Sequence, residues 1–173
     1  MSMRALDSPQ LLRELVGAAD SVELKLCVAD SQVQPASAAL RIDLRSARPR
    51  QIFYLDTPDL TLNRAGLIVR VRRIYRLTDD SVIKLRPAAP RQLGADLRRQ
   101  KGFKVEVDVM PDGFVCSASL KGRPAAGAIA QAVVGRLPWS GLFTAEQRRF
   151  FSTYAPDRLT LDDLSACWAR SWR

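Results

Sequence analysis

Four stretches of the chain alternate charged and aliphatic residues: Glu23-Leu24-Lys25, Arg70-Val71-Arg72, Lys84-Leu85-Arg86 and Lys104-Val105-Glu106-Val107-Asp108. Successive side chains of a β-strand point to opposite faces, so each stretch read as a strand has one charged and one apolar side. The wider pattern predicts strands over 21–28, 51–56, 67–76, 81–86, 103–110 and 114–120. Helical spacing predicts helices at 8–19, 36–44, 125–137 and 144–154. In the first of these Ser8 caps, Pro9 suits the first turn, and Leu11, Leu12 and Leu15 form the apolar stripe. Turn residues at Thr57-Pro58-Asp59, Thr78-Asp79-Asp80 and Pro111-Asp112-Gly113 separate the strands, with Asp56 or Thr57 placed to cap the segment after the first turn. Strands with helices in flanks and connections describe an α+β domain built on an antiparallel sheet.

The apolar sides can pack under helices, leaving the charged sides to face water or each other. One account is a plain antiparallel sheet with a solvated face and cross-strand ion pairs. Against it, Arg70 and Arg72 share one face, as do Lys84 and Arg86. Such basic pairs repel unless an anion or nearby carboxylates neutralise them. The guanidinium fork suits bidentate phosphate contacts. Lys25, Arg70, Arg72, Lys84 and Arg86 are therefore candidate phosphate-binding residues. Glu23, Glu106 and Asp108 are candidates for a divalent cation bridging the phosphate oxygens.

Composition narrows the chemistry. The 173 residues suffice for one domain, and 27 Lys+Arg against 18 Asp+Glu leave a net charge of +9. That surplus favours anionic partners, although an Arg-preferring coding sequence would also produce it. With no histidine, the common zinc sites and every His-based catalytic dyad or triad are excluded. A metal would be a hard cation on oxygen ligands, so Mg2+ or Mn2+ is expected. Three scattered cysteines, no signal-peptide pattern and no long apolar window lead to the expectation of a cytoplasmic protein with no membrane segment. Cys116 reads as a small strand residue, and Asp162-Asp163 as a turn or cap. Arg148-Arg149-Phe150-Phe151 reads as an amphipathic helix burying its rings, which argues against nucleic acid as a partner.

The segments VELKL at 22–26, FYLDTPDLTLNRAGLIVRVRR at 53–73, VIKLRP at 82–87, GFKVEVDVMPDGFVCSASLKG at 102–122 and LTLDDL at 159–164 resemble the CYTH domain. That family is also called the triphosphate tunnel metalloenzymes, and the similarity is to a bacterial, actinobacterial-like subgroup. D-T-P-D-L-x-L, G-x-x-x-R-x-R and K-L-R-P occur in family order, and the resemblance spans about residues 21–165. It implies a closed tunnel of eight antiparallel strands whose inward charges bind triphosphate and divalent metal. The family includes inorganic triphosphatases, thiamine triphosphatases and one class of adenylyl cyclase. Its first-strand E-x-E-x-K corresponds to Ser21-x-Glu23-x-Lys25, its R-x-R to Arg70 and Arg72, and its next-strand lysine to Lys84. Glu106 and Asp108 fall where the family carries inward acids.

Two departures stand out. Ser21 replaces one carboxylate of the metal-binding face, and the chain ends soon after the DDL segment, where family members continue with further strands. Residues 1–165 are thus expected to be the N-terminal part of the domain, forming part of the tunnel barrel. Residues 166–173 are expected to be a divergent tail, read as a truncation or frameshift with no strand or helix pattern around Trp168 and Trp172. Exposed strand edges would then favour homo-oligomers. The resulting expectation is a metal-dependent triphosphatase acting on a triphosphate, polyphosphate or nucleotide, with catalytic residues unassigned. A non-catalytic polyphosphate- or nucleotide-binding module and an inactive truncated product remain the alternatives.

Overall fold

The computed structural model describes residues 9–156 and 158–172. Seven strands, β1 (Ser21–Leu24), β2 (Arg50–Asp56), β3 (Leu67–Ile74), β4 (Asp80–Leu85), β5 (Phe103–Met110), β6 (Gly113–Gly122) and β7 (Ser165–Trp172), form one sheet. Their spatial order is β1-β5-β6-β4-β3-β2-β7. The helices are α1 (Pro9–Gly17), α2 (Val33–Ala39), α3 (Thr61–Arg64), α4 (Ala95–Arg98), α5 (Ala128–Val133) and α6 (Ala145–Tyr154). Among the described residues no helix is long and apolar enough to cross a membrane.

The alternating pattern places the core on one side of the sheet. Phe53 and Leu55 of β2, Leu67, Val69 and Val71 of β3, Ile83 of β4 and Leu120 of β6 pack against Ile129 of α5 and Phe150 and Phe151 of α6. Next to this cluster, Val105 and Val107 of β5 and Phe114, Cys116 and Ala118 of β6 meet Leu11, Leu12 and Leu15 of α1. Cys116 is buried there, and burial pushes its thiol pKa up, as suits a packing residue rather than a nucleophile.

Local chemistry explains the motifs that stop and start the strands. At the end of β2, Asp56 Oδ1 accepts from the backbone N–H groups of Thr57 and Leu62, each at 2.8 Å, and Oδ2 accepts from Asn63 N–H at 3.0 Å. Thr57 Oγ1 accepts from Thr61 N–H at 3.0 Å. The D-T-P-D-L-x-L segment thus satisfies the open N–H groups of α3 and seats its fully buried Leu62 in the core. Gly66 comes next with φ +74°, and a Cβ there would sit 2.4 Å from Arg86 O. Only glycine allows the chain to enter β3 so close to the end of β4. Thr160 and Asp163 form a reciprocal cap, in line with the turn reading of Asp162-Asp163.

Two expectations are corrected. The sheet is mixed rather than purely antiparallel, because β1 runs parallel to β5. Its direction stems from α1: the helix docks under β5 and β6, and the short link ends on Asp20, whose Oδ2 accepts from Val105 N–H at 2.7 Å. Secondly, Ser165–Trp172 forms a strand despite its lack of periodicity, antiparallel to β2 with a register shift at Tyr54/Leu55. Backbone pairing to an open sheet edge needs no alternating pattern. The sheet is open, with exposed edges as expected of part of a barrel: among the described strands β1 pairs only with β5 and β7 only with β2. The cap expected at Ser8 lies outside the described residues.

Candidate functional site

Residues paired across neighbouring strands point to the same side of a sheet, so the register fixes what shares the face opposite the core. Ser21 lies opposite Glu106, and Glu23 opposite Asp108. Glu106 lies opposite Ser117, and Lys104 opposite Ser119. Ser119 is opposite Lys84, Val82 is opposite both Lys121 and Arg70, and Asp80 is opposite Arg72. Tyr54 lies opposite Arg70. The four alternating stretches therefore share one face, spread from β1 to β3 across the sheet. Lys25 and Arg86, just beyond the ends of β1 and β4, join it through Asp108.

Two charge clusters occupy this face. The first centres on Asp108, whose side chain is fully buried. Its Oδ2 lies 2.9 Å from Lys25 Nζ and 2.8 Å from an Arg86 guanidinium nitrogen. Lys25 also lies 3.4 Å from Glu23, and Lys104 lies 3.5 Å from Glu106. These approaches to Asp108 are electrostatic: neither carboxylate oxygen has a partner in hydrogen-bond alignment. Burial lowers the Lys84 ammonium pKa, and the fields of Asp108 and Glu106 offset part of that effect.

The second cluster centres on Asp80, 1% exposed. Arg72 holds it with a fork, Nε to Oδ1 at 2.9 Å and NH2 to Oδ2 at 2.5 Å, and Lys121 Nζ lies 3.2 Å from Oδ2. Burial works to raise the Asp80 pKa, but the bonds and charges of Arg72 and Lys121 outweigh it and hold the carboxyl below its usual range. The bond to Asp80 correspondingly raises Arg72. Arg70, by contrast, is lowered, by burial first and by neighbouring Arg72 second, while Asp80 and Tyr54 counter this.

Four of the five buried side-chain polar atoms without a hydrogen-bond partner among the described residues belong to this face. They are Ser21 Oγ, Arg70 Nε and both oxygens of Asp108. The face thus presents a buried donor, Arg70 Nε, without a hydrogen-bond partner among the described residues, while the Asp108 carboxylate is met by the charges of Lys25 and Arg86. No three carboxylate or cysteine side chains among the described residues gather where one ion could bind them all. A hard cation of the magnesium type commonly takes one or two carboxylates and completes its shell with water and substrate phosphate. Asp108 and Glu23, opposite each other in the register, are the carboxylates that could supply them.

Asp80, Lys121 and Tyr54 are members of this face that the alternating-charge reading misses. Asp80 reads as a turn residue in the sequence, yet it extends the Asp80-x-Val82-x-Lys84 alternation by one step. Lys121 likewise continues Ser117-x-Ser119. A mainly apolar cavity of about 430 Å³ adjoins the face at Tyr54 and opens among Leu60, Leu67, Cys167 and their neighbours, and none of the eight candidate phosphate and metal residues lines it.

The fold has a solved counterpart. A Bacillus halodurans protein described as a "putative adenylate cyclase" superposes with a TM-score of 0.54 at 12% identity, covering 83% of this chain. The chain spans 59% of that protein's length. At this identity the likeness is one of fold. A Vibrio parahaemolyticus protein with the same description aligns over 51% of this chain and 70% of its own at 14% identity, with a TM-score of 0.22. No family model and no curated protein matches the sequence.

Proposed function

We propose that the chain is a CYTH-like protein whose charged sheet face binds a triphosphate-bearing compound with Mg2+ or Mn2+, and that it hydrolyses a phosphoanhydride of that compound. The observation that carries this reading is Arg70 Nε, a buried donor with no hydrogen-bond partner among the described residues, on the same face as the Lys25, Lys84 and Arg86 cations gathered around Asp108. A polyphosphate would answer that donor and share those cations. The fold likeness to a protein described as a "putative adenylate cyclase" is consistent with such a ligand.

In this reading Lys25, Lys84 and Arg86 hold phosphate near Asp108, and Arg70 supplies a free donor from β3. Arg72 reaches phosphate by sharing its fork with Asp80. Asp108 with Glu23 or Glu106 would hold the metal. When bound, such an ion neutralises phosphate charge and polarises the phosphoryl oxygen under attack. The cations of the face orient the chain of phosphates and stabilise charge on the leaving oxygens. A second reading, a binding module without hydrolysis, is favoured by Ser21 in place of a carboxylate and by the lack of a three-acid cluster among the described residues.

The test is phosphate release from tripolyphosphate with Mg2+ or Mn2+, run beside calorimetry on the wild type, Arg70→Ala and Lys84→Met. Loss of one charged hydrogen bond is expected to weaken binding roughly 10- to 100-fold in Arg70→Ala. Release that depends on metal and falls in both variants supports the hydrolase. Binding without release supports the module, and no binding at millimolar ligand defeats both.

A further inference from the structure

The outer edge of β1 is an interaction surface with a self-complementary sequence. Among the described residues, β1 pairs on one side only, with β5. Its apolar row is uncovered and continues just past the strand's end: Val22 is 45% exposed, Leu24 76% and Leu26, beyond the strand, 78%. Lys25 N–H donates to Val109 O at 2.8 Å. By strand alternation, Glu23 and Lys25 turn their backbone groups toward β5, while those of Val22 and Leu24 point outward. The edge therefore offers free N–H and C=O groups beside exposed aliphatic side chains. Proteins usually blunt such an edge with proline, a bulge or inward charge, and Val22–Leu26 contains none of these on its apolar row.

We propose that this edge pairs antiparallel with β1 of a second copy of the chain, about a two-fold axis through Leu24. In that register Leu24 faces Leu24, Val22 faces Leu26, and Glu23 faces Lys25 of the other copy in both directions. The charges select this register. A two-fold axis through Glu23 would oppose two glutamates, and one through Lys25 would oppose two lysines, and like charges directly across a ladder destabilise it. The outward backbone groups of Leu24 make the central pair a hydrogen-bonded one, which places Glu23 and Lys25 in the flanking non-hydrogen-bonded pairs where side chains approach closest. Glu23 is 53% exposed at its side chain and is free to meet a second lysine. The axis stands perpendicular to the sheet, so the two sheets join with their charged faces on the same side and their cores on the other. Glu23 and Lys25 also belong to the charged face, so association is measured without added phosphate or divalent metal.

One short strand per copy makes a small interface, of the weak, concentration-dependent kind. Sedimentation equilibrium across the micromolar range is expected to carry the wild type from 19.2 kDa toward twice that mass. Leu24→Pro removes only an outward-facing N–H and should hold the chain at the monomer mass. Glu23→Lys, at an exposed position, should weaken association at least tenfold with the circular dichroism spectrum unchanged. In a Cys27→Ser background, Leu24→Cys should form an air-oxidised disulfide dimer, because a hydrogen-bonded antiparallel pair brings Cα atoms to about 5.5 Å. Val22→Cys in the same background should not. A wild type that stays monomeric overturns the proposal. So does a dimer that survives both Leu24→Pro and Glu23→Lys, or a disulfide that forms in the Val22→Cys variant but not in Leu24→Cys.

Discussion

Asp80 shows most clearly how one residue's role depends on what surrounds it. In the sequence it belongs to a Thr-Asp-Asp turn; in the structure it is the buried anchor of Arg72 and Lys121. Its folded pKa lies below the usual 3.8, so its contribution to stability is fully present above the unfolded value and is lost as pH falls through the folded one. Asp80→Asn keeps the shape and removes the charge. The variant is expected to unfold about 3 kcal/mol more easily in urea at neutral pH, the cost of leaving a guanidinium without its buried partner. That gap should narrow below about pH 4, where the carboxyl of the unfolded wild type takes up a proton before the folded one does. A gap that persists unchanged to about pH 2, below the usual carboxylate range, would overturn the charge-based account of this position.

At the scale of elements, helix α6 supports the charged face from behind. Thr144 and Gln147 form a capping box at its start. The same Gln147 side chain, fully buried, donates from Nε2 to Ser81 O at 3.1 Å and to Leu120 O at 3.0 Å, while its Oε1 accepts from Ser81 Oγ at 3.0 Å. One side chain thereby ties the helix to β4 and β6. Gly122 leaves the room, since a Cβ there would lie 2.3 Å from Gln147 Oε1. Gln147→Ala is expected to cost about 2 to 4 kcal/mol in chemical unfolding, through unmet carbonyls and the space left behind. Tripolyphosphate affinity of the folded fraction should not change, because the ligand face lies on the other side of the sheet. Buried Phe150 and Phe151 were legible as part of an amphipathic helix, but the partners of Gln147 lie 66 and 27 positions away and leave no local trace.

For the molecule as a whole, the net charge of +9 and the shared charged face make one joint prediction. Tripolyphosphate with magnesium at about a hundredfold its Kd should add about 2.7 kcal/mol of stability. For a chain of this size that is a rise in Tm of about 5 to 10 °C. Salt should shrink the shift by screening the exposed part of the site, and chelation should reduce it if Asp108 engages the metal. A shift that is unaffected by Lys84→Met would place the anion elsewhere on the surface.

Read along the chain, the residues establish which side of the charged strands is charged, where six of the seven strands and four of the helices lie, and that histidine chemistry is excluded. These are local properties, set by side-chain alternation, capping groups and turn residues within a few positions of one another. Which strands become neighbours is a matter of long-range folding. Register across the sheet placed Glu23, Arg72, Lys84 and Asp108 on one face, brought Asp80 and Lys121 to them, turned β1 parallel to β5, and made a strand of Ser165–Trp172. Those outcomes rest on backbone pairing and on the docking of α1 and α6 under the sheet, interactions between residues far apart in the chain. The alternating pattern names the faces, and only the fold says what each face meets.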